Sequence, residues 1–321
     1  LTLTLTLASV KVPEVVRAAG IHPTRRVLVL ERASAPGKKI LISGGGRCNF
    51  ANIGAGPANY LSANPHFAKS ALARYTAQDF LELVKSYGIA WHEKTLGQLF
   101  CDGSAKQIVA MLLEECAKGG VEIRCDEEVT QVEQGDGFTV TTQSGTFSAP
   151  SLVIATGGPS IPKMGATGFA YDLARQFGLK LVEPRPALVP LTLGGEEVLF
   201  RDISGVSAAV VTSAGKARFA EAALFTHRGL SGPAILQASS YWRPGEPLFV
   251  DFLPDESGDF LLDAKRAAPR STLRAWLRER LPARLADILA ERLGLEVEFG
   301  NAPDKALRGA GERLKRWTFQ P

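Results

Sequence analysis

The sequence has few cysteines and few histidines. Its four cysteines, Cys48, Cys101, Cys116 and Cys125, show no Cys-x-x-Cys spacing and have no histidine cluster beside them. Neither a disulfide framework nor a zinc site is therefore indicated. We expect reduced thiols and no bound metal.

Long hydrophobic runs are also absent. No uninterrupted apolar stretch approaches the roughly 20 residues that a membrane-spanning helix needs. Residues 1–10 also lack the basic flank of a signal peptide. The sequence therefore predicts a protein without a membrane partner, and the cytoplasm is the expected compartment.

The chain has 321 residues, of which 45% are apolar and 22% charged, which is enough to bury a full core in two or three compact units. Its net charge of +4 is uneven, because residues 264–321 carry 13 Lys and Arg against 7 Asp and Glu. Such a bias can indicate a nucleic-acid-binding face. These arginines are interleaved with acids on predicted amphipathic helices, the ordinary pattern of a solvated face. We therefore expect no nucleic-acid partner.

The most informative stretch is a glycine-rich run that follows a short apolar segment. Residues 26–31 read Arg-Val-Leu-Val-Leu-Glu, which is typical of a buried parallel strand with a carboxylate at its carboxyl end. The run from Gly37 to Asn49 begins six residues later and contains three consecutive glycines, beside which a flat or phosphorylated ligand can approach the backbone closely. In dinucleotide-binding folds the strand-end carboxylate holds a ribose hydroxyl. A large cofactor is therefore expected here.

A second small-residue segment ends a later strand. Residues 151–158 read Ser-Leu-Val-Ile-Ala-Thr-Gly-Gly, which indicates a buried strand opening into a glycine turn. Residues 128–149 before it predict an antiparallel meander. Ligands of open parallel sheets bind at the carboxyl ends of the strands. We therefore expect Glu31, the glycine run and Thr156-Gly157 to converge on one crevice.

Turn residues and helical spacing divide the rest of the chain. Residues 49–65 read as a loop, and residues 67–87 and 105–117 have helical patterning. The proline-punctuated connector from Pro184 to Pro190 indicates a domain boundary, after which the sequence is rich in short β-branched runs. Apolar spacing over residues 265–294 predicts two helices divided by Pro282.

Five motifs together resemble one family. They are Glu31-Arg32, Pro36-Gly37-Lys38-Lys39, Ser43-Gly44-Gly45-Gly46-Arg47-Cys48-Asn49, Ala155-Thr156-Gly157-Gly158 and the run Leu-Phe-Thr-His-Arg-Gly-Leu-Ser-Gly-Pro over residues 224–233. From Arg25 to Pro321 the chain is similar to the BaiN-type NAD(P)/FAD-dependent oxidoreductases, also described as aminoacetone oxidase-like flavoproteins. The resemblance implies an α/β fold with a glutathione-reductase-type, Rossmann-like FAD-binding domain, an inserted β-barrel-like domain and a helical domain. The corresponding boundaries are residues 1–188, 189–258 and 259–321.

Two features depart from the family pattern. The family opens with a Gly-x-Gly-x-x-Gly turn, and the corresponding positions here are Ala8, Val10 and Pro13, so the pyrophosphate turn is missing. The chain also stops at Pro321, where the family returns to the FAD domain, so an incomplete FAD domain is expected. Residues 1–24 are either a divergent first strand and helix or the product of an altered reading frame or a wrongly assigned start.

The resemblance also implies which residues hold FAD. Glu31 is assigned to the adenosine ribose, Lys39 to a phosphate and Arg47 to the pyrimidine side of the isoalloxazine. The other implied contacts are Arg32, Ser43, Gly44, Gly45, Gly46, Cys48, Asn49, Val129, Ala155, Thr156, Gly157 and Gly158. For Cys48 a packing role is preferred to a redox role, because no resolving cysteine stands at the usual spacing.

No catalytic residue is assigned. His227 is interpreted as a turn-stabilising residue, with a general acid near the flavin as the alternative. We expect an FAD-dependent oxidoreductase that transfers hydride between the flavin and a small organic substrate or NAD(P)H, the candidate electron donor. Two alternatives are open, namely an incomplete, nonfunctional flavoprotein and a basic nucleic-acid-binding module built on the helices between Arg270 and Arg316.

Overall fold

The structure, a computed structural model, describes residues 2–6 and 26–321. The positions of the missing glycine turn, Ala8, Val10 and Pro13, lie outside the described residues. The chain divides into two compact units, Leu1–Glu183 and Pro184–Pro321.

The first unit combines strands with helices. Its described strands are β1 (Thr2–Thr6), β2 (Val27–Glu31), β3 (Asn49–Asn52), β4 (Trp91–Glu93), β5 (Gln98–Cys101), β6 (Glu122–Arg124), β7 (Val129–Gln134), β8 (Phe138–Thr142), β9 (Gly145–Ala149) and β10 (Ser151–Ala155). Its described helices are α1 (Lys38–Ile42), α2 (Lys69–Arg74), α3 (Ala77–Ser86), α4 (Ala105–Lys118) and α5 (Phe169–Gln176).

A parallel sheet is the framework of this unit. Its strands lie in the order β10-β1-β2-β6, and every neighbouring pair is parallel. All five residues of β2 are buried, as the apolar run predicted. β10 differs from the prediction of a buried strand, since Val153 is 39% and Ile154 37% exposed. The reason is its position, because β10 is an edge strand of this sheet and has one described neighbour.

Two smaller antiparallel sheets complete the first unit. The predicted meander is confirmed as β7-β8-β9. The other sheet has the order β3-β5-β4, so Asn49–Asn52 forms a strand where a loop was predicted.

Helix α4 is confirmed close to its predicted bounds, whereas the helix predicted over residues 67–87 is two helices, α2 and α3. The break has a local cause. Thr76 Oγ1 accepts the Asp79 amide at 3.1 Å, and the Asp79 carboxylate accepts the Thr76 amide at 2.7 Å. This reciprocal capping box starts a new helix.

The second unit combines an antiparallel sheet with helices. Its strands are β11 (Leu191–Thr192), β12 (Ser207–Ala214), β13 (Ala217–Thr226), β14 (Gly229–Ser231), β15 (Leu248–Asp251) and β16 (Trp317–Phe319), in the order β11-β14-β13-β12-β15-β16. Its helices are α6 (Pro233–Ser239), α7 (Phe260–Ala267), α8 (Leu273–Arg278), α9 (Ala283–Leu293) and α10 (Asp304–Lys315). The predicted helix pair divided by Pro282 is confirmed as α8 and α9, and Gly294 ends α9 in the left-handed conformation.

One hydrophobic core serves both the strands and the helices of the second unit. Phe200 lies at its centre, with ring centroids 5.1 Å from Phe319 and 5.7 Å from Phe225. Leu285 of α9 and Leu314 of α10 are fully buried in the same core. The finer division at residues 188 and 258 stays a prediction. Among the described residues, no helix is both long and apolar enough to cross a membrane.

Candidate functional site

The parallel sheet brings two predicted site segments to the same height. β1 pairs with β2 on one side and with β10 on the other, and Thr6 stands opposite both Glu31 and Ala155. Adjacent strands lie about 4.8 Å apart, so these two residues end their strands about 10 Å from each other. The carboxyl edge of the sheet therefore has an acid on one side and the Thr156-Gly157-Gly158 segment on the other.

Glu31 is a buried acid at this edge. It is 3% exposed, and its Oε1 accepts the amide of Ala33 at 2.8 Å. Burial raises the pKa of the Glu31 carboxyl above its usual value, against the lowering effect of that amide and of the Lys38 charge. The carboxylate is thus a fixed, poorly solvated acceptor for hydroxyl groups.

The segment after β10 is shaped for close approach. Thr156 is buried, and Gly157 has a φ of +71°, a conformation that side chains rarely adopt. At Gly158 an added Cβ would lie 2.6 Å from the Tyr171 hydroxyl oxygen. The backbone conformation therefore favours glycine at Gly157, and at Gly158 a side chain would have to displace the Tyr171 hydroxyl.

A pocket lies between the Glu31 end of β2 and the glycine segment that follows β10. Lys39 spans it, because its Nζ donates to Ser160 Oγ at 2.7 Å. Arg32 reaches from the strand end to the carbonyl of Gly165 at 3.3 Å and to the carboxylate of Glu128 at 3.0 Å. The residues that line the pocket are Glu31, Ala33, Ala35, Lys38, Lys39, Gly157, Gly158, Ser160, Ile161, Met164 and Ala166.

The glycine run forms a tight turn after α1. Gly44, Gly45 and Gly46 all have positive φ. A Cβ on Gly44 would lie 2.7 Å from Phe100 Cε1 and 2.8 Å from the Asn49 amide nitrogen, whereas Gly45 has no atom within 4 Å of that position. Gly44 therefore serves packing, and Gly45 leaves an open stretch of backbone.

The side chains of this run have different surroundings. Ser43 Oγ donates to the carbonyl of Ile40 at 2.8 Å, while Arg47 and Asn49 are exposed. Cys48 is buried in the core beside α4, and burial raises the pKa of its thiol. Burial likewise raises the pKa of the nearby Cys101 thiol to about 11.

Only part of the predicted site lines the pocket. Glu31, Lys39, Gly157 and Gly158 do so. The other predicted residues do not, namely Arg32, Ser43, Gly44, Gly45, Gly46, Arg47, Cys48, Asn49, Val129, Ala155 and Thr156. Val129, at the start of β7, packs against the core beneath the meander.

Several lining residues carried no signal in the sequence. Ser160, Ile161, Met164 and Ala166 belong to an irregular loop without periodicity. Lys38 precedes Lys39 in α1 and was interpreted as solvent-facing, but it also lines the pocket.

The pocket has the chemistry of a nucleotide site. It has a buried carboxylate suited to ribose hydroxyls, a lysine suited to a phosphate, and a wall of glycines. The described residues therefore fit the adenosine half of a dinucleotide. Among them, no group of three or more His, Cys, Asp and Glu could hold a metal ion.

Two family models match the chain. The model described as the HI0933-like protein Rossmann domain matches residues 16–227, and the model described as the HI0933-like protein barrel and H2TH domain matches residues 185–321. The chain belongs to the HI0933-like family, the BaiN family of the predicted resemblance. An HI0933-like protein is a flavin-dependent oxidoreductase with an FAD-binding Rossmann domain and a barrel/H2TH insert. This confirms the FAD-binding domain with a β-barrel-like and helical insertion that the resemblance implied.

Three relatives of this HI0933-like protein illustrate the range of the family. The chain is 47% identical over 311 residues to the ribosomal RNA dihydrouridine synthase of Escherichia coli (strain K12), which covers 92% of this chain and 76% of the relative. It is 43% identical over 306 residues to the enzyme of the same name from Haemophilus influenzae, with the same coverage. It is 28% identical over 301 residues to the 3-dehydro-bile acid delta(4,6)-reductase of Clostridium scindens, covering 88% of this chain and 73% of the relative.

These relatives correct one prediction. The expectation of no nucleic-acid partner is wrong, because the two more similar relatives are named for ribosomal RNA. The expectation came from mixed charge averaged over whole helices. Such an average does not reveal which individual cations lack an acidic partner in the fold.

Proposed function

We propose that this HI0933-like protein is a ribosomal RNA dihydrouridine synthase that reduces a uridine of ribosomal RNA. The observation that carries the proposal is the 47% identity to the Escherichia coli enzyme along 92% of the chain. The reaction saturates the C5–C6 double bond of uracil, and the base takes up two electrons and two protons. FAD supplies the electron pair when bound, and NAD(P)H is the proposed source of those electrons.

The adenosine half of FAD belongs in the pocket at the carboxyl edge of the sheet. Glu31 accepts hydrogen bonds from the ribose hydroxyls, and Gly157 and Gly158 let the cofactor approach the backbone. Lys39 exchanges its neutral Ser160 partner for a phosphate, a stronger, charge-assisted hydrogen bond. Arg32 and Val129 belong to the adenine side.

The isoalloxazine half is assigned to the glycine run. Gly45 offers open backbone, with Gly44, Gly46 and Ser43 shaping the turn around it. Arg47 is exposed and has no ion pair among the described residues, so its charge is free to stabilise a reduced, negatively charged ring. Asn49, Cys48, Ala155 and Thr156 complete the proposed contacts.

The charge of the chain agrees with a ribosomal RNA substrate. The chain has a net charge of +4, with its basic excess in residues 264–321, and RNA is a polyanion whose binding depends on such charge. An enzyme of ribosomal RNA acts where ribosomes are assembled, so the cytoplasm is the proposed compartment.

The decisive experiment combines a flavin spectrum with nucleoside analysis. The purified protein, supplied with FAD, is incubated with NADPH and with ribosomal RNA transcribed in vitro, which carries no modified uridine. Nucleosides from the digested RNA are then separated by mass spectrometry. We expect a flavin spectrum on the protein and dihydrouridine in the RNA, with none formed when NADPH is omitted.

Two outcomes would contradict the proposal, one by removing the cofactor and the other by removing the RNA substrate. Colourless protein that takes up no FAD would favour the nonfunctional flavoprotein. A flavin-loaded protein that oxidises NADPH and leaves every uridine intact would retain the oxidoreductase but remove ribosomal RNA as its substrate.

A further inference from the structure

Hydrogen bonds fix the backbone of a two-residue turn in the second unit. His227 and Arg228, called the hairpin tip below, join β13 to β14. Thr226 Oγ1 accepts the amides of Arg228 at 3.3 Å and Gly229 at 3.2 Å, and donates to the Gly229 carbonyl at 3.1 Å. One side chain thus fixes the backbone on both sides of the turn.

The base of the turn packs against the backbone of residues 191–193. The Arg228 carbonyl accepts the amide of Leu193 at 3.0 Å. Gly229 has a φ of +149°, and a Cβ there would overlap the Leu191 carbonyl oxygen and lie 2.7 Å from the Leu193 amide nitrogen. Gly229 thus lies directly against the backbone of residues 191–193. This close contact leaves the hairpin tip little freedom to move.

The two side chains that this turn presents have no partner. His227 and Arg228 are exposed, and neither side chain has a hydrogen bond, an ion pair or a ring contact within the described part of the chain. A turn-stabilising role for His227 is therefore wrong, since the stabilising side chain is Thr226.

The cations of the helices between residues 260 and 315 differ in this respect, because most of them have an acidic partner. The pairs are Arg266–Asp263, Lys265–Asp304, Arg274–Glu296, Arg278–Asp287, Arg280–Glu256, Arg292–Glu196, Arg308–Asp259 and Lys315–Asp251. Such pairs already neutralise much of the basic helical face. Arg228 keeps its full charge for a ligand.

The other end of β13 gives a contrast within the same strand. Gly215 and Lys216 form the two-residue turn between β12 and β13, and Lys216 is also exposed. No atom lies within 4 Å of a Cβ built on Gly215, so this turn is not clamped. A strand of ten residues separates the two turns by about 30 Å.

We propose that the hairpin tip is a contact for the ribosomal RNA substrate, an inference that rests on the proposed function. Arg228 binds a phosphate of the RNA backbone, and the His227 ring stacks on a nucleobase. A rigid turn favours this role because the entropy of ordering the backbone of these residues is already lost on folding. Charge decides the kind of occupant, since a free guanidinium matches a phosphodiester.

The test measures binding of the purified full chain to unmodified ribosomal RNA over a series of salt concentrations. Arg228→Ala should weaken binding about tenfold, the equivalent of one charged hydrogen bond. It should also reduce the slope of log affinity against log salt by about 0.7 to 0.9, the value for one phosphate. Arg228→Lys should keep most of that slope. His227→Ala should weaken binding with no change of slope, and His227→Phe should restore it.

Lys216→Ala is the matched control, an exposed cation removed from the opposite turn of the same strand. It should leave affinity and slope at the wild-type values. Wild-type behaviour of both Arg228→Ala and His227→Ala, in a protein that still binds ribosomal RNA and forms dihydrouridine, would overturn the hairpin-tip contact alone. A wild-type protein that neither binds the RNA nor modifies it would overturn the proposed function and this inference together.

Discussion

At the scale of single residues, Glu31 has opposite effects on folding and on ligand binding. Its carboxylate is buried at a pocket wall, where it receives one amide hydrogen bond and the influence of one lysine charge. Desolvation of a charge destabilises the folded chain. The same poorly solvated charge forms a strong hydrogen bond with a ribose hydroxyl.

We therefore expect Glu31→Gln to stabilise the FAD-free protein at neutral pH and to weaken FAD binding. The raised pKa means that the folded state holds the proton more tightly than the unfolded state, so stability falls as the pH rises from the ordinary pKa of a glutamate through the raised pKa. The stability of the glutamine variant should not fall over this pH range. Its FAD affinity should be about tenfold lower, through loss of a charged hydrogen bond of about 1.5 kcal/mol.

Urea unfolding at several pH values and flavin fluorescence titration measure these two effects. Asp136→Asn, an exposed acid in the turn between β7 and β8, is the control and should change neither. A glutamine variant that is less stable than wild type at neutral pH would show that the desolvation argument fails.

At the scale of elements, the glycine run combines two different requirements. Gly44 and Gly45 share the left-handed conformation, with φ of +57° and +67°, but only Gly44 is enclosed by neighbouring atoms. The first glycine therefore serves the fold, and the second leaves room for a ligand.

Alanine at each position separates these requirements. Both variants should lose about 1 kcal/mol to the strained φ, and Gly44→Ala should lose about 1 to 3 kcal/mol more because its Cβ meets Phe100 and the Asn49 amide. Gly45→Ala should instead lose FAD affinity out of proportion to its stability. Denaturant midpoints and FAD titrations of the two variants check this, and equal losses of stability at both positions would contradict it.

The elements also show which patterns the sequence reveals. Three patterns were sufficient to predict the elements that carry them. They are the continuous apolar run of β2, the alternation of the meander and the helical spacing of α4, α8 and α9. The β3-β5-β4 sheet was missed, because strands of three or four residues are too short to show a period. The exposure of β10 depends on which strand lies beside it, a property of the tertiary fold.

The candidate site divides in the same way. Glu31, Gly157 and Gly158 were predictable because strand ends in a parallel sheet have a known common edge. The loop residues Ser160 to Ala166 were not, since they reach the pocket through an irregular path. The unpartnered state of the hairpin tip could be read only after its neighbours had been placed.

At the scale of the whole molecule, the proposed cofactor contacts and the proposed RNA contact lie in different compact units, residues 1–183 and residues 184–321. Ligand binding stabilises the folded state that holds the ligand. FAD should therefore stabilise the parallel sheet of the first unit, where its adenosine half is proposed to bind.

We expect FAD to slow amide hydrogen exchange in β2 and β10. A concentration of about 100 times the dissociation constant stabilises the folded state by about 2.7 kcal/mol, which is measurable by mass spectrometry of peptides from these strands. Riboflavin, which lacks the adenosine half, is the control ligand and should leave β2 unprotected. Equal protection of β2 by riboflavin and by FAD would contradict the placement of adenosine beside Glu31.

The central place of β1 has a consequence for how the protein is made. Thr2–Thr6 pairs on one side with a strand nearby in sequence, and on the other with Ser151–Ala155, at the far end of the first unit. Closing so long a stretch of chain is slow, and it cannot begin until the later strand has left the ribosome. During synthesis one side of β1 therefore waits unpaired, and the pocket is among the last features of its unit to form.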